Sequence, residues 1–415
     1  MKNNIQSSVL VAVDMGSQTF RAMAAEIIST GAIRVLGVEE SSLKCCVHQG
    51  VVDNTSDAGY MLTNIVKLLG NRIRKEMLNS VFLSVGGRTL KVVSVNSTHD
   101  FVFQRDIAPE LLIKMESKCV EKIETKNPGV AVLDLIPSYY KLDGKVQENA
   151  PAPNQRAVFV EANFNAFVGK KELDEKIKKT FERTPLHLEK KYVRPEALVN
   201  ALASDEDLEE GCAVLDLGAQ TTTLTIYKGG QYLHNQVIPS GGFDITEAIG
   251  HLGVSLAQAE HLKCVYGVAS VSMLTANRQY VLTNGGGNKI TISSLDLANT
   301  ISNTLDTILS PLMEALNKEA HRLKVLYVTG GGAMLQGVVD YIQTKTSVHV
   351  MYGSHAAWLS SDTPDQYCMP CYTSLVGTLL LGAKYRETHP LNHYSKDKRL
   401  IDKIKESTLK LFTEE

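Results

Sequence analysis

Apolar residues at the start of the chain come in short runs and alternations that predict strands at 9–14, 20–28 and 33–38. The period then lengthens. Met61, Ile65, Leu68, Leu69 and Ile73 recur at helical spacing behind Asn54, Thr55 and Ser56, whose side chains suit a helix start. Val81 to Val85 is again a short apolar strand, ending at Gly86-Gly87. Three strands, a helix and a strand are half of an α/β domain. The order recurs in the second half: strands at 213–216, 222–227 and 232–237, a helix opening near Gly242-Phe243-Asp244, and a buried strand at 323–328.

Two stretches interrupt this repeat. Residues 89–165 carry alternation at 90–95, a helical run with Leu111, Leu112, Met115 and Val120, and strand patterns at 130–135 and 157–162. They predict a small inserted α+β module. Helices at 172–181 and 194–203 then complete the first half. The second insertion holds a helix at 256–265, a hairpin around Asn284-Gly285-Gly286-Gly287-Asn288, and a long helix with Leu295, Leu297, Ile301, Leu305, Ile308, Leu312 and Leu316. A helix at 336–345 follows the last strand. No low-complexity linker separates the halves, so packing and shared helices must couple them.

Length and composition narrow the class. A chain of 415 residues exceeds one core, and two to four domains are expected. The chain is 44% hydrophobic, and its 43 basic and 45 acidic residues leave a net charge of -2. No basic stripe argues for nucleic acid. Seven scattered cysteines make no disulfide framework and suit a reducing cytosol. The lone Cys368-Met-Pro-Cys371 lacks the second ligand pair of a zinc site and reads as packing. Neither a signal peptide nor a membrane span of ~18 apolar residues is expected. The tail from Lys396 to Glu415 places Leu400, Ile401, Ile404, Thr408, Leu411 and Phe412 on one helical face. Its charges nearly cancel, so it either lies in a lipid interface or packs on its own domain.

The chemistry sits in a repeated motif. Asp14-Met15-Gly16-Ser17-Gln18-Thr19 returns as Asp216-Leu217-Gly218-Ala219-Gln220-Thr221, followed by Thr222. Each copy follows an apolar run and reads as a tight hairpin turn between strands. Such turns offer backbone N–H groups to phosphate oxygens, and Asp14 with Asp216 can hold a hydrated Mg²⁺ through water. Thr329-Gly330-Gly331-Gly332 stands at a strand end before a helix, where glycine admits a ligand closely. Pro239-Ser240-Gly241-Gly242 opens another helix. Glu260 and Lys263 share a helix face. They suit either a solvated ion pair or a ribose contact from Glu260 with the Lys263 stem against a base. The Rossmann glycine spacing and the Walker lysine are both missing.

Two phosphate hairpins, a Thr-Gly-Gly-Gly loop and an Ala259-Glu260-x-x-Lys263 helix, in this order, resemble the actin/Hsp70/sugar-kinase ATPase superfamily. The inserted module begins after the strand 81–85, which is similar to the bacterial cell-division family FtsA. So are Phe82-Leu-Ser-Val-Gly-Gly87, Leu135-Ile-Pro-Ser-Tyr-Tyr140, Ile238-Pro-Ser-Gly-Gly242 and Val328-Thr-Gly-Gly-Gly332, within a resemblance covering about residues 9–385. The resemblance implies a two-lobed, actin-like (ribonuclease H-like) ATPase fold with an FtsA-type inserted module. The expected division is 1–85 and 166–205 for the first lobe, with 86–165 inserted. The second lobe takes 206–255 and 323–390, with 256–322 inserted, and 391–415 is an amphipathic tail.

The resemblance also implies ATP and Mg²⁺ in the cleft between lobes. Asp14, Gly16, Ser17, Gln18 and Thr19 would form the first phosphate loop, and Asp216, Gly218, Gln220, Thr221 and Thr222 the second. Gly241 and Gly242 would lie near the nucleotide, Glu260 and Lys263 at ribose and base, and Gly330, Gly331 and Gly332 beside the adenosine. The implied role is a filament-forming scaffold on the inner face of the cytoplasmic membrane at the division site, tethering FtsZ through its C-terminal peptide. Ala219 and Gln220 stand where the family has glycines. Their bulk narrows the space for a γ-phosphate and predicts slow or absent hydrolysis. The catalytic residue stays unassigned, with Gln220 and Glu196 as candidates to orient a water. The tail lacks the family's long linker and Trp/Phe-rich face. Two other readings share this architecture: a PilM-like cytosolic adaptor of a membrane machine, and a sugar kinase or phosphatase.

Overall fold

A computed structural model describes residues 9–42, 46–75, 78–152, 154–283, 287 and 289–389. The first sheet is built from strands β1 (Leu10–Met15), β2 (Phe20–Ile27) and β3 (Ile33–Ser41). A two-residue ladder of β4 (Val47–His48) and β5 (Val51–Val52) leads to helix α1 (Thr55–Arg72) and then to β6 (Ser80–Val85). Asn54 caps α1, its side chain accepting from the Ser56 and Asp57 N–H groups. Met61, Ile65 and Leu69 are buried as their spacing predicts, whereas Leu68 is exposed on the outer flank.

The inserted module is a four-stranded antiparallel sheet with one helix. Strands β7 (Lys91–Asp106), β8 (Val130–Leu142), β9 (Lys145–Gln147) and β10 (Arg156–Lys170) lie in the order β7-β10-β8-β9, and α2 (Pro109–Lys126) packs on β7 and β8. These strands run well past the stretches expected at 90–95, 130–135 and 157–162. Much of β7 is solvent-exposed, so polar residues hide its length from a periodicity argument. The chain returns through α3 (Lys171–Glu182), β11 (His187–Val193) and α4 (Arg194–Leu202). Sequence pattern missed β11, because His187-Leu-Glu-Lys-Lys191 looks like surface. It completes the first sheet, in the order β11-β6-β1-β2-β3.

After the short helix α5 (Asp205–Glu210) the architecture repeats. Strands β12 (Cys212–Leu217), β13 (Thr222–Lys228) and β14 (Gln231–Ile238) form a meander followed by helices α6 (Gly242–Gly250) and α7 (Leu256–Tyr266). The hairpin β15 (Gln279–Thr283) and β16 (Lys289–Ser293) pairs as expected, although most of its turn lies outside the described residues. The long helix α8 (Ser294–Glu319) precedes β17 (Val325–Thr329), α9 (Val338–Gln343), β18 (His349–Tyr352) and α10 (Thr373–Thr388). The second sheet has the order β14-β13-β12-β17-β18, the same plan as the first.

Both faces of β1 are covered. Val11 and Val13 join the core under α1, while Leu10 and Ala12 join Leu375, Val376 and Leu379 of α10 on the other face. This double burial explains an uninterrupted apolar run. The segment 323–390, expected to close the second lobe, thus ends in a helix packed on the first sheet. The helix α4 bridges the halves: Leu198, Val199, Ala201 and Leu202 share one core with β1 and with Cys212 and Val214 of β12. No described helix is long and apolar enough to cross a membrane. The tail from Lys396 lies outside the described residues.

Candidate functional site

Parallel strands bring the decisive residues to one rim. In the first sheet Asp14 pairs with Ser84 across β1 and β6, and Val85 pairs with Val193 across β6 and β11. Asp14, Gly86 and Arg194 therefore meet at the carboxyl ends of three strands, where open α/β sheets bind ligands. In the second sheet Asp216 pairs with Thr329, which sets Gly330 beside the Asp216 carboxylate. The two rims face each other across a cleft of about 500 Å³. Such a volume suits a small organic ligand.

The repeated motif folds the same way twice. The Gly16 N–H donates to the Thr19 carbonyl at 3.2 Å, and the Gly218 N–H to the Thr221 carbonyl at 2.9 Å. A Cβ on Gly16 would stand 2.7 Å from the Thr19 oxygen, and one on Gly218 2.6 Å from the Thr221 oxygen. Each hairpin closes only on glycine. Ser17, Gln18, Thr19, Thr221 and Thr222 line the cleft with them. Ser17 also accepts from the Gly50 N–H at 3.0 Å, which ties the loop to its own lobe. Gly330 has φ +86, and a Cβ there would lie 2.4 Å from Asp216 Oδ1. Gly331 faces open space.

Not every expected contact is free for a ligand. The Gly242 and Phe243 N–H groups donate to the Gly218 and Ala219 carbonyls at 2.9 and 2.7 Å, and Gly241 N–H donates to Asp244. The start of α6 thus buttresses the second loop, though Gly241 and Gly242 still line the cleft. Glu260 and Lys263 form a buttressed ion pair on the cleft wall, at 2.7 Å. Lys263 Nζ also donates to the Gly242 carbonyl at 2.8 Å and to Thr246 at 2.7 Å, and the Thr246 hydroxyl donates to Glu260. Burial pushes the Glu260 carboxyl up, but these donors outweigh it and hold it below its ordinary value.

The two candidate water-orienting residues sit elsewhere. The Gln220 amide oxygen accepts from the Gln49 N–H at 2.9 Å, and the Gln49 amide donates to the Pro239 carbonyl at 3.0 Å. Gln220 is a strut across the mouth of the cleft. Glu196 is buried against Asp134 of the inserted module, outside the cleft lining. Burial first, then the Asp134 charge, raises the Glu196 carboxyl well above its usual value. Neither geometry aims a water at the loops.

Sequence reasoning passed over three residues that shape the floor. Arg21, opposite Asp14 on β2, pairs with Glu40 at 2.9 Å. Ser374 donates to Asp14 Oδ2 at 3.4 Å from the start of α10. Arg194 is the most consequential. Its guanidinium bonds to Asp14 Oδ1 and reaches Asp216 Oδ2 at 3.6 Å, so it joins the two repeated motifs. Burial works against its charge, yet Asp14 and Asp216 more than compensate and raise its pKa. Its place before Pro195 at the start of α4 resembled an ordinary helix opening.

The family resemblance read from the sequence implies a nucleotide and a divalent metal here. The paired glycine-closed loops and the wall of α6 and α7 fit a nucleotide. The carboxylates do not fit a metal, since Asp14 and Asp216 already hold a guanidinium between them. A divalent ion at that point would have to displace the guanidinium from both carboxylates.

Comparison with known proteins agrees with this architecture. A family model described as cell division protein FtsA matches residues 213–377. The chain is 25% identical over 281 residues to a cell division protein FtsA of Porphyromonas gingivalis, covering 66% of this chain and 56% of that protein. It is 23% identical over 401 residues to FtsA of Neisseria meningitidis, covering 93% and 92%, and 23% over 419 residues to FtsA of Escherichia coli K12, covering 95% and 94%. The chain thus spans just over half of the first relative and more than nine-tenths of the other two. Among solved structures, a PilM–PilN type IV pilus biogenesis complex matches with a TM-score of 0.66 at 18% identity, over 90% of this chain and 98% of that one. MreB5 of Spiroplasma citri bound to ADP matches with a TM-score of 0.56 at 13% identity, over 93% and 100%. The chain has the two-lobed fold of the actin-like ATPases and, over nearly its whole length, resembles the cell division family FtsA.

Proposed function

We propose that this protein is an actin-like, ATP-binding cell-division scaffold that polymerises and links the FtsZ ring to the inner face of the cytoplasmic membrane. One observation carries the nucleotide half of this reading: the same glycine-closed loop, on the same strand turn, faces itself across the cleft. Bound nucleotide supplies a polyanion that both loops can share. The chain's own part is to present N–H and hydroxyl donors of 14–19 from one wall and 216–222 from the other. The Gly330–Gly332 turn and the Glu260–Lys263 pair border the base and ribose end. Sharing one ligand across two lobes favours the closed arrangement, and that arrangement presents a single surface for self-assembly. With Gln220 engaged at the cleft mouth and Glu196 outside the cleft, turnover is slow.

The division half rests on the FtsA relatives. Its test is sedimentation of the full chain with ATP, liposomes and a peptide from the FtsZ C-terminus, each added and omitted in turn. The scaffold reading expects ATP-dependent pelleting alone, binding of the peptide, and loss of liposome binding on truncation before Lys396. Liposome pelleting that ignores the truncation removes the tether from the tail, and failure to bind the peptide favours an adaptor of another membrane machine.

A further inference from the structure

The cleft has three cations in its lining among the described residues: Arg21, Arg194 and Lys263. Arg21 is paired with Glu40 and Lys263 with Glu260. Arg194 alone stands between the two loops, bound to a carboxylate from each. Its side chain packs against Gly86, where an added Cβ would be in ordinary contact with it, 3.5 Å from Nε. That Nε is buried and finds no hydrogen-bond partner. Both Asp14 oxygens are engaged, Oδ1 by Arg194 and Oδ2 by Ser374. A guanidinium offers five donors in a planar fork, and only part of that fork is engaged by the carboxylates. The remainder matches phosphate geometry, and the charge stays on at any physiological pH.

We propose that Arg194 is the built-in counter-cation of this cleft, standing between Asp14 and Asp216 where a hydrated divalent ion would otherwise sit, so that the chain binds nucleoside triphosphate without a metal. The inference rests on the nucleotide-binding reading above and adds the chemistry by which the phosphates are neutralised. Asp14 and Asp216 then position Arg194 instead of ligating an ion. Without the guanidinium, the two carboxylates would repel an entering polyphosphate and become available to a divalent cation.

Calorimetric titration of the full chain with ATP, in excess EDTA and in excess Mg²⁺, decides the matter. The wild-type Kd is expected to differ by less than about threefold between the two conditions, or about 0.7 kcal/mol. Arg194→Gln is expected to lose about tenfold or more in EDTA and to recover on adding Mg²⁺, as the freed carboxylates take the ion. Arg194→Lys keeps the charge and is expected to retain most metal-free affinity. If wild-type binding vanishes in EDTA, the counter-cation role is overturned while nucleotide binding stands. Unchanged affinity of Arg194→Gln in EDTA overturns it equally. Should Arg194→Gln fail to fold, the wild-type pair of titrations and Arg194→Lys still decide. Absence of binding under every condition overturns the nucleotide reading itself.

Discussion

At the scale of single residues, the cleft is a set of glycines with different tolerances. Gly330 combines φ +86 with an Asp216 oxygen 2.4 Å from where a Cβ would be. Gly330→Ala is therefore expected to lose about 1–3 kcal/mol of unfolding free energy, read from a urea melt. Its neighbour Gly331 has open space and no positive φ, so Gly331→Ala should melt like the parent. If the turn borders a nucleotide, that methyl enters the ligand's space and weakens ATP binding in calorimetry. Unchanged stability with reduced affinity is the signature that separates a binding turn from a merely structural one. Gly16→Ala and Gly218→Ala each meet a backbone oxygen below 3 Å, and each should open its own loop and lower affinity.

At the scale of elements, α4 links the two sheets. It touches β11, β6, β12 and α10, and its first residue is Arg194. The helix α10 approaches it so closely that a Cβ on Gly377 would stand 1.9 Å from the Ala197 carbonyl. Gly377→Ala should separate the two helices and cost about 1–3 kcal/mol in a denaturant melt. The same helix carries Glu196 against Asp134 of β8, linking the inserted module to the lobe. The folded pKa of Glu196 is raised by burial and by Asp134, so the protonated form is the one the fold prefers. A group with a raised folded pKa contributes stability below its unfolded value near 4.5 and loses it as pH climbs toward the folded value. Glu196→Gln mimics the protonated form. Its stability relative to wild type should be near zero at acid pH and grow as pH rises above that value, in melts across a pH series.

At the scale of the whole molecule, two sheets of one plan enclose one cleft, and few direct bonds cross its mouth. Gln49, on the first lobe, reaches Gln220 and Pro239 on the second. Gln220→Ala removes one of these struts and leaves the Gln49 N–H without its acceptor. A neutral hydrogen bond is worth about 1 kcal/mol, so nucleotide release should quicken by roughly fivefold. Stopped-flow displacement of a fluorescent ATP analogue measures this. A slower release would mean that the strut hinders closure instead of holding it.

Repetition of a local motif is legible without a structure, because a hairpin closed on glycine depends on only six consecutive residues. Asp14 to Thr19 and Asp216 to Thr221 therefore announced themselves, and the helical periods of α1 and α8 did likewise. Strands with a wet face showed only in part or not at all: β7 beyond its first residues, and the whole of β11, are held by their sheet partners. What only the tertiary structure decided is which groups meet. Arg194 lies 180 residues from Asp14 and follows a strand that pattern overlooked. Nothing in its neighbours tells that it will stand between two carboxylates from opposite lobes. Local conformation is encoded within a few residues, whereas charge pairing across a cleft follows from the register of strands far apart in the chain.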